Sequence, residues 1–115
     1  MICSDHDYVC FLVCGDLNQL RIGPPQTIAD GLMSATPGEL TFPIVQKHVE
    51  QIATVSEDEI REAMKFLLLR LKILVEPSGA VSAAAVLFKK LPAGIGRVGI
   101  VLSGGNVDLE TLARF

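Results

Sequence analysis

A chain of 115 residues is one domain at most and can bury only a modest core. Half of its residues are hydrophobic and a fifth are charged, which excludes intrinsic disorder and suits a piece of a larger buried body, or an oligomer that self-associates through apolar surface. The net charge of -3 gives no electrostatic reason to expect nucleic acid or an anionic membrane, and no apolar run approaches the roughly 20 residues that cross a bilayer.

Asp5 and Asp7 stand ahead of a short apolar run, Tyr8 to Cys14. A secretory leader wants basic residues there, so none is expected, and the run reads as a strand. Three cysteines, an odd number, argue against a disulfide framework and point to a reducing compartment, with the cytoplasm as the expectation. Cys3, His6, Cys10 and Cys14 fall within a dozen residues, but zinc ligands usually pair on a turn as C-x2-C. Cysteines packed in a core strand are the expected reading, and no metal site is assigned.

Gly15 to Gln26 is polar and ends on the breaker cluster Gly23-Pro24-Pro25. Thr27 to Pro37 reads as a loop with a short helix. Glu39 to Val49 fits a helix with Leu40, Ile44, Val45 and Val49 on one face and Pro43 in its first turn. Gln51 to Val55 is a short strand. Ser56 and Glu59 then form an S-x-x-E capping box. Ile60, Ala63, Met64, Leu67, Leu68 and Leu71 follow on one helical face, with acids at the helix start and Arg70 and Lys72 at its end.

Pro77 suits the first position of a second helix. Ala80 to Phe88 is apolar on nearly all sides, as a fully buried helix would be, and Lys89, Lys90 and Leu91-Pro92-Ala93-Gly94 end it. A strand from Arg97 to Leu102, a Ser103-Gly104-Gly105 turn and a short helix from Asp108 complete the order β–loop–α–β–α–α–β–α. This is an α/β pattern: a partial open sheet with flanking helices.

A strand that runs into a glycine turn is where open α/β sheets bind ligands. Gly104 lets backbone approach a ligand closely, and Ser103 presents a hydroxyl that both donates and accepts. The plainer alternative for Ser103 is a turn-capping serine. Glu76 sits at the positive end of the buried helix, and Gly31 in Ile28-Ala29-Asp30-Gly31 suits a tight turn that Asp30 could brace. Asn106 could close an Asx-turn and Asp108 could cap the last helix. His48, beside Lys47 and Glu50, reads as a solvated side chain.

Thr27-Ile28-Ala29-Asp30-Gly31-Leu32, Val75-Glu76-Pro77-Ser78-Gly79-Ala80 and Arg97 to Asp108 carry a resemblance. From about Pro24 to Leu112 the chain resembles the C-terminal part of the catalytic domain of threonine dehydratases and serine racemases. Residues 1–23 show no such likeness. The resemblance implies a tryptophan-synthase-β-like large domain that uses pyridoxal phosphate and acts on L-threonine or L-serine. It implies that Ser103 bonds the pyridine nitrogen, that Glu76 and Gly31 edge the cofactor pocket, and that Gly104 and Asn106 are cofactor-binding residues of the same turn.

In that family a Schiff-base lysine lies in Ser-x-Lys-x-Arg-Gly and a longer glycine loop grips the cofactor phosphate. None of Lys47, Lys65, Lys72, Lys89 or Lys90 has that context, and Gly104-Gly105 is too short for the cradle. The family's divalent-metal carboxylates have no match either. The expectation is therefore a remnant that is inactive alone, or one subunit of a split enzyme. A non-catalytic amino-acid-binding or regulatory module is the alternative from another class.

Overall fold

The computed structural model describes residues 2–4, 26–34 and 36–114. Two short strands, β1 (Ile2–Ser4) and β2 (Ala53–Val55), pair in parallel with Ile2 opposite Ala53 and Ser4 opposite Val55. Helices α1 (Phe42–His48), α2 (Glu57–Phe66), α3 (Pro77–Leu87) and α4 (Leu109–Leu112) follow the order expected from the residues. One turn of 3-10 helix spans Asp30–Leu32.

The capping box forms in full. Ser56 Oγ accepts the Glu59 amide at 3.2 Å, and Glu59 Oε2 accepts the Ser56 amide at 2.8 Å. Two of the orphan donors at the start of α2 are thereby satisfied. Glu59 also reaches Lys90, 2.8 Å away beyond the end of α3, and so ties the two helices together. Ile60, Ala63, Met64 and Leu67 of this helix face the core.

Helix α3 starts with Pro77 in its first turn. Its Ala80, Ala83, Ala84 and Ala85 are buried, and such small side chains let α2 and the strands approach closely. The end of α3 is a Schellman turn: the Lys90 amide donates to the Ala85 carbonyl at 2.9 Å, the Lys89 amide to Val86, and Lys89 takes a left-handed φ of 55°.

Three expectations need correction. Leu68 and Leu71 do not extend the buried face of α2; they are 38% and 53% exposed. The helix widens into a π-turn over Leu67–Leu71, and that wider winding rotates later side chains off the 3.6-residue stripe. Helix α1 begins at Phe42, not at Glu39, and Phe42 is its buried residue; Leu40, just ahead of it, and Ile44 are 87% and 60% exposed, so the expected apolar face is not the packed one. Arg97–Leu102 joins no sheet among the described residues; Ser82 Oγ instead donates to the Val101 carbonyl at 2.7 Å and fastens the segment to α3. The open sheet is thus reduced, among the described residues, to one parallel pair. The expected strand Tyr8 to Cys14, and His6, Cys10 and Cys14 with it, lie outside the described residues.

The π-turn makes a direct forecast. Ile60→Ala should cost about 2–5 kcal/mol of unfolding free energy, as for other filled core sites. Leu68→Ala should cost less than about 1 kcal/mol. Urea unfolding midpoints of both variants check this, and equal losses would restore a continuous buried face.

Candidate functional site

The start of α3 is where distant segments meet. Glu76 precedes the helix in extended conformation, with φ -72° and ψ 161°. Its amide donates to the Gly104 carbonyl at 3.0 Å. Its carboxylate does not cap its own helix; Oε2 accepts the Asn106 amide at 3.1 Å. Backbone and side chain of one residue therefore grip the 104–106 turn from both ends.

That grip demands glycine. A Cβ on Gly104 would collide with the Glu76 carboxylate, its Cδ lying 2.9 Å away. A Cβ on Gly79 would stand 2.9 Å from the Gly104 carbonyl oxygen and 2.9 Å from Val75 Cγ1. No side chain fits between α3 and the turn. The third segment arrives on the other side, where the Gly31 amide donates to Ser78 Oγ at 2.9 Å and to Asp30 Oδ1 at 2.8 Å. Asp30 thus braces its own loop.

Gly31, Glu76, Gly104 and Asn106 are linked in this way through the first turn of α3. Ser103 stands next to Gly104, solvent-exposed, and among the described residues its hydroxyl has no hydrogen-bond partner. The Asx-turn expected at Asn106 is replaced by a tighter backbone turn, with the Val107 amide donating to Gly105 at 2.9 Å. Asp108 caps α4 as expected: Oδ1 accepts the Thr111 amide at 2.6 Å, and that bond holds its carboxyl below the usual carboxylate range.

Residue patterns assigned no role to Ser78, whose hydroxyl accepts the Gly31 amide, nor to the contact between Glu57 and the 27–31 loop. Ser78 lies inside one of the three motifs, and serine in a first helical turn often bonds nearby backbone. Glu57 offers no local signal, because its partners lie 29 and 30 residues away. Two open grooves lie elsewhere. One of about 440 Å³ is lined by Glu62, Phe66 and Phe88, and another of about 640 Å³ by His48, Lys90 and Pro92; neither includes the glycine-turn residues. Among the described residues no cluster of three metal-ligating side chains occurs, and no helix is long and apolar enough to cross a membrane.

One parallel strand pair, the helices around it and glycine turns folded onto a helix start make up the described α/β unit. The family of pyridoxal-phosphate dependent enzymes matches residues 10–104, a stretch that extends upstream of Pro24, and the chain belongs to that family. A serine racemase from Dictyostelium discoideum is 44% identical over 105 residues, covering 90% of this chain and 32% of the relative. An L-threonine ammonia-lyase from Thermotoga maritima is 44% identical over 94 residues, covering 82% of this chain and 23% of the relative. The crystal structure of a T.th. threonine deaminase superimposes with a TM-score of 0.82 at 40% identity, covering 94% of this chain and 36% of that one. The chain thus spans about a third of these relatives, or less.

The tight seam yields a prediction. Gly79→Ala should destabilise the fold by about 1–3 kcal/mol, because backbone lies on one side of the new methyl and Val75 on the other. Gly96→Ala is the control, since a Cβ there meets nothing within 4 Å. Thermal melts should separate the two; equal melting temperatures would mean that the 104–106 turn does not press on α3.

Proposed function

We propose that this chain supplies the ring-facing wall of a pyridoxal-phosphate site in an enzyme of the threonine/serine ammonia-lyase and serine racemase type. The carrying observation is the exposed Ser103 hydroxyl, partnerless among the described residues, on a turn that Glu76 holds by two hydrogen bonds. The fold is read as part of a tryptophan-synthase-β-like large domain, and likeness to serine racemases and ammonia-lyases supports L-serine and L-threonine as the substrate class.

The donor set suits one edge of the cofactor. When bound, pyridoxal phosphate draws electrons from the amino acid's α-carbon. Ser103 would bond the ring nitrogen through a neutral hydroxyl, which cannot stabilise a ring proton as a carboxylate can. Gly104 leaves room for the Glu76 carboxylate, which accepts the Asn106 amide and keeps the turn from moving. Gly31 brings a second backbone segment to the same helix start.

The residues that would anchor the cofactor covalently and cradle its phosphate have no motif in this sequence. The chain by itself is therefore proposed to be inactive. Exposed Leu40, Ile44, Val101 and Leu109 support self-association.

The test has two arms. The purified chain with pyridoxal phosphate should release no keto acid from L-threonine or L-serine, and clear turnover would overturn the inactivity. Co-expression with a polypeptide carrying the Ser-x-Lys-x-Arg-Gly and phosphate-loop motifs separates the two origins: restored turnover marks one subunit of a split enzyme, and continued silence marks a remnant. Where turnover is restored, Ser103→Ala should lower it about tenfold or more, as loss of a buried hydrogen bond does. Turnover indifferent to that substitution would contradict the role of Ser103.

A further inference from the structure

We infer that Glu57 is a positioning residue that holds the Ile28-Ala29-Asp30-Gly31 loop in register with the proposed site, an inference that rests on the pocket reading above. Its carboxylate oxygens are both engaged outside its own helix. Oε1 accepts the Thr27 hydroxyl at 2.6 Å, and Oε2 accepts the Ile28 amide at 2.9 Å. Thr27 Oγ1 in turn accepts the Ala29 amide at 3.1 Å.

The loop is therefore fastened at two points. Glu57, the first residue of α2, holds its beginning, and Ser78, in the first turn of α3, holds Gly31 at its end. Between them Ala29 is fully buried in the core. A first-turn acid that served only the helix dipole would leave its oxygens to solvent or to its own amides. Asp58, by contrast, reaches no other segment: its side chain is 91% exposed and pairs only within its own helix, with Arg61 at 2.8 Å.

The same logic governs both walls of the site. Glu57 holds the Ile28 amide and Glu76 holds the Asn106 amide, each from a helix start and each across about thirty residues. Charge-assisted bonds to backbone N–H groups are the stronger kind, and they set the loop's position as well as its stability.

Amide exchange on the 15N-labelled full chain tests this. Glu57→Ala should speed exchange at Ile28 and Ala29 by about tenfold while Met64 and Ala84 change by less than about twofold. Glu57→Gln keeps one acceptor oxygen and should recover part of the protection. Asp58→Asn should leave the loop unchanged. Uniform acceleration across all amides in both Glu57 variants would overturn the inference, because it would mark a general stabilising role.

Pyridoxal phosphate added to the labelled chain co-expressed with the polypeptide that carries the Ser-x-Lys-x-Arg-Gly and phosphate-loop motifs separates the two claims. The wild-type chain should show shifts at Gly31 and Asn106, and Glu57→Ala should lose the first and keep the second. Shifts kept at both in that variant would overturn the positioning role. No shift at either in the wild type would overturn the pocket reading, while the exchange result would still decide for or against the tether.

Discussion

The closeness of one backbone contact sets the rest of the arrangement. The 104–106 turn lies directly against the first turn of α3, with glycine on both sides of the seam. Glu76 closes it by donating its amide to Gly104 and accepting the Asn106 amide on its carboxylate. A side chain at Gly79 would press on the Gly104 backbone, force the turn away and carry Ser103 with it, while one at Gly104 would displace the Glu76 carboxylate that holds Asn106. The position of that hydroxyl is thus a packing consequence before it is a chemical one.

Helix α3 can serve as this platform because it is buried. It lies against α2 and both strands, with its alanines buried, so its first turn is a fixed point in the fold. Loops normally move more than the elements they join. Here the 27–31 and 103–106 segments are each bonded to that fixed point, through Ser78 and through Glu76. Carboxylates that would ordinarily serve helix ends are turned outward to hold loop amides. A rigid scaffold that positions polar groups by such bonds is what a cofactor site requires.

Local signals are legible in the residues themselves. The Ser56/Glu59 box, Pro77 at a helix start, the Asp108 cap and the burial of α3 as far as Ala85 each depend on residues within a few positions of one another, although Leu87 and Phe88 at its end are exposed. Family membership is legible because its motifs are contiguous. Non-local features are not. The π-turn at Leu67–Leu71 breaks a periodicity that is continuous in the sequence, and the apolar run Arg97–Leu102 has no ladder partner among the described residues. Phe42 is the packed residue of α1 although Leu40 and Ile44 fit the stripe better, because helix periodicity says which residues share a face and not whether anything covers it. The Glu57 tether spans thirty residues, and nothing near either end announces it.

The account stands on the convergence of the 27–31, 76–79 and 104–106 backbones at one helix end. Through-space proton contacts in solution measure it most directly. Cross-peaks from the Gly31 amide to the Ser78 side chain, and from the Asn106 amide to the Glu76 side chain, are the predicted result. A spectrum in which the α2–α3 contacts are intact but both of those are missing would contradict it.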